Sequence, residues 1–168
     1  MRRTIVTGLA LMAMAACSKP NAPTGEVPAS APASEAAAPP ALTAAQKKAL
    51  LAELPAAYQS ADLDNGEARF AICKTCHTVN QGGGVMTGPN LFGVFGRKAG
   101  TSPGFAYSDG LKALGVTWDA DKISQWIANP RGMVAQTKMT YIGMEDAKDR
   151  TDVVAYLKTV TSPAPPPS

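Results

Sequence analysis

The last third of the chain carries the clearest helical pattern of apolar and polar positions. Ile123, Trp126 and Ile127 are spaced i, i+3 and i+4, so they would share one face of a helix. This pattern predicts a helix over about 119–129. Pro130 follows and would end the helix, because proline lacks the N–H that the next turn needs.

A second apolar stripe lies closer to the C-terminus. Its positions are Val153, Tyr156, Leu157 and Val160. Acidic residues precede the stripe and Lys158 lies near its end, which is the charge order that the helix dipole favours. We predict a helix over about 145–160 with one face in the core.

An added helical segment is predicted over residues 42–60. Thr43 and Gln46 have the spacing of a capping box, in which the two side chains pair with backbone groups at a helix start. Leucines follow at helical spacing before Pro55 stops or kinks the helix. The pattern is compatible with a segment that packs on the domain and with one that extends a linker.

Two further helices are predicted between these stretches. One begins near Asp64 and leads through the apolar Phe70, and a short one begins at Ser108 and Asp109 and ends at Gly115.

The rest of this region is predicted to be loop. Residues 82–84 and 88–104 are rich in glycine, and 129–143 show no sustained period. No convincing run of strands is present. The sequence therefore predicts an all-α domain over residues 61–161, with about four or five helices joined by long loops.

The N-terminus resembles a bacterial export signal. Arg2 and Arg3 precede an apolar run that is shorter than the ~20 residues needed to span a bilayer. We therefore predict a signal peptide over residues 1–16. Small residues before Cys17 resemble a lipoprotein signal, in which this cysteine is lipidated, although ordinary cleavage after Ala15 also fits.

The two ends of the processed chain are rich in proline. Residues 17–41 would form a lipidated cysteine followed by a Pro/Ala-rich linker, which is stiff and extended at ~3.1 Å per residue. Residues 162–168 are predicted to be a disordered tail.

Charge gives little support for a nucleic-acid partner. The whole chain has a net charge of +3, but residues 61–161 contain 11 Lys and Arg and 10 Asp and Glu. This near-neutral balance does not provide the basic surface that phosphate binding needs.

The five residues Cys73-Lys74-Thr75-Cys76-His77 carry the most specific chemistry. C-x-x-C-H is the spacing at which two thiols attach a haem covalently while the histidine binds its iron. A thioredoxin-type site would need a preceding strand, and a zinc site would need a further ligand cluster. His77 is the only histidine in the chain, so the iron's other axial ligand must be a different residue type.

The motif and the segments around it resemble those of class I c-type cytochromes, the soluble mitochondrial and alphaproteobacterial type. The resemblance covers residues 61–161. The matching segments are Cys73–Val79, Thr87–Leu91, Phe95–Gly100, Pro103–Tyr107, Thr117-Trp118, Asn129-Pro130 and Thr137–Met139. It implies the cytochrome c fold around one covalently bound haem c.

The resemblance implies Met139 as the second axial ligand, nine residues after Pro130. Soft thioether sulfur suits haem iron. Methionine is more often core filler, so Met86, Met133 and Met144 remain rivals.

Further residues of the haem pocket come from the same resemblance. The carbonyl of Pro89 would accept the ring N–H of His77. Polar side chains would hydrogen-bond or neutralise the haem propionates, which are costly to bury unpaired. These are Arg97, Tyr107, Trp118 and Thr137.

Two positions depart from the family. Trp126 stands where a tyrosine usually bonds the methionine sulfur, and Leu111 stands where an asparagine is common. Both changes remove polar groups near the methionine side of the iron. They therefore affect the reduction potential and the strength of the iron–sulfur bond.

With a ligand on each side, the iron would have no open site, which favours electron transfer over enzyme catalysis. We expect an electron carrier anchored by lipid on the periplasmic side of a bacterial membrane, with the inner membrane favoured. Its partners would be membrane respiratory complexes, a quinol-oxidising complex as donor and a terminal oxidase as acceptor. No nucleic acid or small-molecule substrate is expected. The alternatives are a haem enzyme or gas sensor in which Met139 leaves the iron, and a haem-stabilised assembly subunit.

Overall fold

The computed structural model describes residues 41–166, and in this part of the chain helices are joined by long loops. The predictions for the signal peptide, for Cys17 and for the linker up to residue 40 lie outside the described residues. Within them the helices are α1 (Ala44–Ala52), α2 (Ala56–Gln59), α3 (Leu63–Lys74), α4 (Asp109–Ala113), α5 (Ala120–Ala128), α6 (Pro130–Met133) and α7 (Ala147–Thr161). None of these helices is long and apolar enough to cross a membrane.

Each of the five helices longer than four residues in this part of the chain begins after a residue whose side chain caps it. The capping box predicted at Thr43 and Gln46 is present at the start of α1. Ser108 caps α4, Asp119 caps α5, and Asp62 and Asp146 cap α3 and α7. In each case a side-chain oxygen accepts a backbone N–H that the first helical turn leaves unpaired.

Two short helices were not predicted. The stretch 129–143 is not all loop, because Pro130–Met133 forms one turn, α6. Its start is capped by Asn129, whose side chain accepts the N–H of Gly132, and proline is favourable in a first turn. The other is α2, which begins directly after Pro55 and lies inside the segment 42–60 that was predicted to be helical, so only its being a separate helix was not predicted.

Helix α7 is the centre of the packing. It crosses α3 closely at Gly66, where an added methyl group would lie 2.8 Å from Cβ of Tyr156. Phe70 and Tyr156 pack across the same interface with tilted rings, whose centroids are 5.6 Å apart. Only glycine allows the two backbones to approach this closely.

Helices α1 and α2 pack on α7, so the added segment is part of the packed structure. Leu50, Leu51, Leu54 and Tyr58 are all buried. Lys158 of α7 pairs with Glu53 at 2.6 Å, and the Tyr58 hydroxyl donates to Asp121 at 2.9 Å. Burial and this hydrogen bond raise the pKa of Tyr58 to about 12.

The segment after α7 has no helix or strand through Pro166. It is not without contacts, because the carbonyl of Pro165 accepts a hydrogen bond of 3.0 Å from the Gln46 side chain.

Candidate functional site

The helices and the glycine-rich loops surround an apolar cavity of about 290 Å³. Its walls come from α3, α4, α5 and α7 and from the loops that follow α3 and α6. Ten predicted site residues line it: Cys73, Cys76, His77, Pro89, Arg97, Tyr107, Trp118, Trp126, Thr137 and Met139. Residues far apart in the sequence are thus brought to one cavity.

The cysteine motif follows the end of α3. The N–H groups of Cys76 and His77 both bond to the carbonyl of Cys73, at 3.1 and 3.0 Å, so the chain continues as a tight turn. Both thiols are half-buried and neither is in a disulfide. Burial raises the pKa of Cys73 to about 11, so its thiol is protonated at neutral pH.

His77 is held by one hydrogen bond to the opposite loop. Its Nδ1 lies 2.7 Å from the carbonyl oxygen of Pro89, and because a carbonyl only accepts, Nδ1 carries the proton. Burial lowers the pKa of His77 below its usual value, although the bond to Pro89 acts in the other direction. The ring is therefore neutral at pH 7, and the lone pair of Nε2 is available to a metal.

Gly88 leaves the space that this ring occupies. A Cβ at this position would overlap the imidazole, with Nδ1 2.7 Å and Nε2 2.9 Å away. Sequence reasoning did not single out Gly88 as a site residue, although it lies within a matched family segment.

The cavity distinguishes among the four methionines of the described residues. Met139 lines it, whereas Met86 is exposed and Met133 and Met144 pack against the core without lining the cavity. The backbone N–H of Met139 donates to the Thr137 hydroxyl at 3.1 Å, which gives Thr137 a role in shaping this loop.

Arg97 places a cation in the cavity wall. Its guanidinium donates to the carbonyls of Phe92 at 2.9 Å and Asn90 at 3.1 Å. Burial lowers the pKa of Arg97, but a guanidinium remains charged at neutral pH. A fixed cation in an apolar cavity suits a carboxylate ligand.

The aromatic wall contains both departures from the family pattern. The rings of Trp118 and Trp126 are tilted, with centroids 5.7 Å apart, and Leu111 is buried against the same cavity. Tyr107 packs edge-on against Phe105 at 4.8 Å. Phe105 and Tyr141 also line the cavity and were not predicted as site residues.

Comparison with known proteins agrees with this arrangement. The family model described as Cytochrome c matches residues 63–161. The chain belongs to the cytochrome c family. Its match therefore spans the cysteine motif and every wall of the cavity, while α1 and α2 lie before it.

Individual cytochromes c are similar over the same region. Cytochrome c2 of Rhodomicrobium vannielii is 42% identical over 103 residues, which are 61% of this chain and 82% of that protein. Cytochrome c of Sesamum indicum is 39% identical over 102 residues, 60% of this chain and 92% of that protein. The solved structure of cytochrome cH from Methylobacterium extorquens is 45% identical and aligns with a TM-score of 0.55. The alignment covers 58% of this chain and 98% of that chain.

Membership of the family establishes the cofactor and the general role. This cytochrome c is an electron-transfer protein that binds one haem c covalently through its C-x-x-C-H motif, and it is not an enzyme. The cavity fits that cofactor: it provides two thiols, one neutral imidazole, a thioether and a half-buried guanidinium on mostly apolar walls.

Proposed function

We propose that this cytochrome c carries electrons between membrane respiratory complexes on the periplasmic side of a bacterial membrane. Cys73 and Cys76 would form the thioether bonds, and His77 and Met139 would be the axial ligands. The observation that carries the assignment is that an imidazole with a free Nε2 and the one cavity-lining methionine of residues 41–166 share the same cavity.

The haem, when bound, supplies a one-electron iron couple. The chain's own residues determine the surroundings of that couple. Pro89 fixes the His77 ring, and Thr137 fixes the backbone of Met139. Arg97, Tyr107 and Trp118 provide polar partners for propionates, while Leu111 and Trp126 help to keep water from the methionine side.

The surface beside the cavity favours a weakly charged docking encounter. Ile72 lines the cavity and is 54% exposed, and Ile142 near Met139 is 92% exposed. Lys74 is engaged by Glu67 at 3.3 Å and lies over the Tyr156 ring, so its charge is partly used within the chain. A quinol-oxidising complex as donor and a terminal oxidase as acceptor would then meet a partly apolar surface.

The domain organisation is part of the same proposal. Residues 1–16 would be removed as a signal, Cys17 would carry lipid, and the linker to residue 41 would hold the cytochrome domain of residues 61–161 near an inner-membrane surface. A tether of this kind raises the local concentration of the carrier near its partners without any new contact. Neither nucleic acid nor a small-molecule substrate has a place in this function.

One experiment tests the ligands and the anchor together. Membrane and soluble periplasmic fractions are prepared from cells that produce the wild type, Cys17→Ser, Met139→Leu or Met144→Leu, and each is stained for covalent haem. The ferric spectra of the purified proteins are then recorded. The wild type is expected in membranes, with a band at the red end of the spectrum from sulfur bound to iron.

The matched variants separate the two claims. Met139→Leu is expected to lose the sulfur band while Met144→Leu retains it, because Met139 lines the cavity and Met144 does not. Cys17→Ser is expected to release stained protein into the soluble fraction. A high-spin, five-coordinate wild type would contradict the ligation and favour a haem enzyme, and Cys17→Ser protein that stays in membranes would contradict the lipid anchor.

A further inference from the structure

Asn90 connects two loops beside the histidine of the cavity. Its side-chain Nδ2 donates to the Thr78 hydroxyl at 2.7 Å and to the carbonyl of Asn80 at 3.0 Å. Its Oδ1 accepts the N–H of Phe92 at 2.9 Å, which fixes the orientation of the amide. One half-buried side chain therefore ties the loop after His77 to the loop that contains Pro89.

The backbone of Asn90 is used as fully as its side chain. Its carbonyl oxygen accepts from the Arg97 guanidinium at 3.1 Å and from the Ser102 hydroxyl at 3.2 Å. The residue before it is Pro89, whose carbonyl holds His77. Asn90 thus lies between the contact that orients the imidazole and the contact that orients the Arg97 guanidinium.

We propose that Asn90 is a positioning residue of the haem site that sets the bond between His77 and Pro89. This inference rests on the proposed ligation by His77. An imidazole that donates from Nδ1 to a carbonyl is a stronger electron donor at Nε2, which favours ferric iron. Without the Asn90 amide, Pro89 is less firmly held, the bond to His77 weakens, and the reduction potential rises.

The test compares two asparagine truncations in purified holoprotein. Asn65 is the matched control, because its Nδ2 also donates two hydrogen bonds, to Asp149 at 3.0 Å and Asp152 at 2.7 Å, but it lies on α3 and bonds to α7 rather than to the loops around His77. The midpoint potential, the exchange rate of the His77 ring N–H by NMR and the thermal unfolding temperature are measured for the wild type, Asn90→Ala and Asn65→Ala.

Asn90→Ala is expected to raise the potential and to speed exchange of the ring N–H about tenfold, the factor that corresponds to losing one to two ordinary hydrogen bonds. Asn65→Ala is expected to lower the unfolding temperature while both other measurements stay at wild-type values. If Asn90→Ala yields no folded holoprotein, Thr78→Val is measured in its place, since it removes one acceptor of the Asn90 amide, and smaller shifts in the same directions are expected.

Two negative results have different meanings. A wild type without an iron-bound imidazole N–H signal would contradict the ligation by His77, and with it the proposed function. A wild type with that signal, combined with wild-type potential and exchange in Asn90→Ala, or in Thr78→Val where that variant is used, would overturn only the positioning role.

Discussion

At the scale of single residues, Gly88 has no room for a side chain. A methyl group there would overlap the His77 ring, which is held by the bond of its Nδ1 to the Pro89 carbonyl. Gly88→Ala should therefore push the imidazole off its hydrogen bond, with an overpacking cost of about 1–3 kcal/mol. We expect less covalent haem per polypeptide, measured by haem staining against immunoblot.

The control for this substitution lies in the same glycine-rich loop. Gly84 has no neighbouring atom within 4 Å of an added Cβ and has no positive φ. Gly84→Ala should therefore keep the wild-type ratio of haem to polypeptide. Equal ratios for the two alanine variants would show that the close approach of Gly88 to His77 is not required.

Residues of the site differ in how far the sequence could identify them. Cys73, Cys76 and His77 are contiguous, so their spacing alone predicts their chemistry. The role of Asn90 depends on Thr78, 12 positions earlier, and that of Gly88 depends on the space around a ring. Such roles arise from contacts across loops, which neither periodicity nor local spacing encodes.

At the scale of elements, the junction of α3 and α7 contains a buried carboxylate. Asp152 of α7 has a side chain only 2% exposed and accepts bonds from Lys148 at 2.5 Å, Asn65 at 2.7 Å and the Asp62 backbone at 3.0 Å. Burial alone would raise the pKa of Asp152, but these three donors outweigh burial and hold the pKa below its usual value.

The sign of the pH dependence follows from this lowered pKa. The unfolded chain binds the proton more tightly, at a pKa of about 3.9, so Asp152 contributes stability above that pH and loses it as the pH falls through its folded pKa. Asp152→Asn should lower the free energy of unfolding at pH 7 by about 1–3 kcal/mol. Denaturant unfolding at pH 7, 5 and 3 measures this change in the free energy of unfolding.

The difference between the wild type and Asp152→Asn should begin to shrink as the pH falls below about 4, where the unfolded chain takes up the proton, and should go on shrinking towards the lower folded pKa. Asp109→Asn is the matched control, because the Asp109 side chain is fully exposed and should give a small, nearly constant difference. If the difference in free energy of unfolding between the wild type and Asp152→Asn stays constant from pH 7 to pH 3, the role of the Asp152 charge is contradicted.

Elements were predictable where the signal is local. The starts of α1, α4 and α5 were predicted close to their observed positions, after Thr43, Ser108 and Asp119. The buried face of α5 was predicted from its apolar stripe. The single turn α6 was missed because it is too short for a periodic pattern. Helix α7 is buried on more than its apolar stripe, which the stripe alone does not reveal.

At the scale of the whole molecule, α7 is covered on two sides. Val153 and Leu157 line the cavity, while Lys158 pairs with Glu53 of the added segment. No residue of 41–60 lines the cavity. The added helices therefore contribute packing to the back of α7 and leave the haem site to the family region, residues 63–161.

Removal of residues 42–60 should separate stability from ligation. The deletion removes four buried apolar side chains, Leu50, Leu51, Leu54 and Tyr58, and should lower the free energy of unfolding by about 3 kcal/mol or more. This corresponds to a fall in unfolding temperature of roughly 10 °C. The ferric sulfur band should persist, because both proposed axial ligands lie outside the deleted segment.

A point variant shows whether the stability lost on deletion of residues 42–60 comes from apolar packing or from the ion pair between Glu53 and Lys158. Glu53 is 59% exposed in its side chain, so water screens its bond to Lys158, and Glu53→Gln should cost less than about 1 kcal/mol. Thermal unfolding of both variants beside the wild type gives the comparison. If Glu53→Gln destabilises as much as the deletion, the buried Lys158 requires its counter-ion and the leucines of α1 contribute little. If the deletion alone is costly and the sulfur band is unchanged, the added helices stabilise α7 through apolar contact and act independently of the haem ligands.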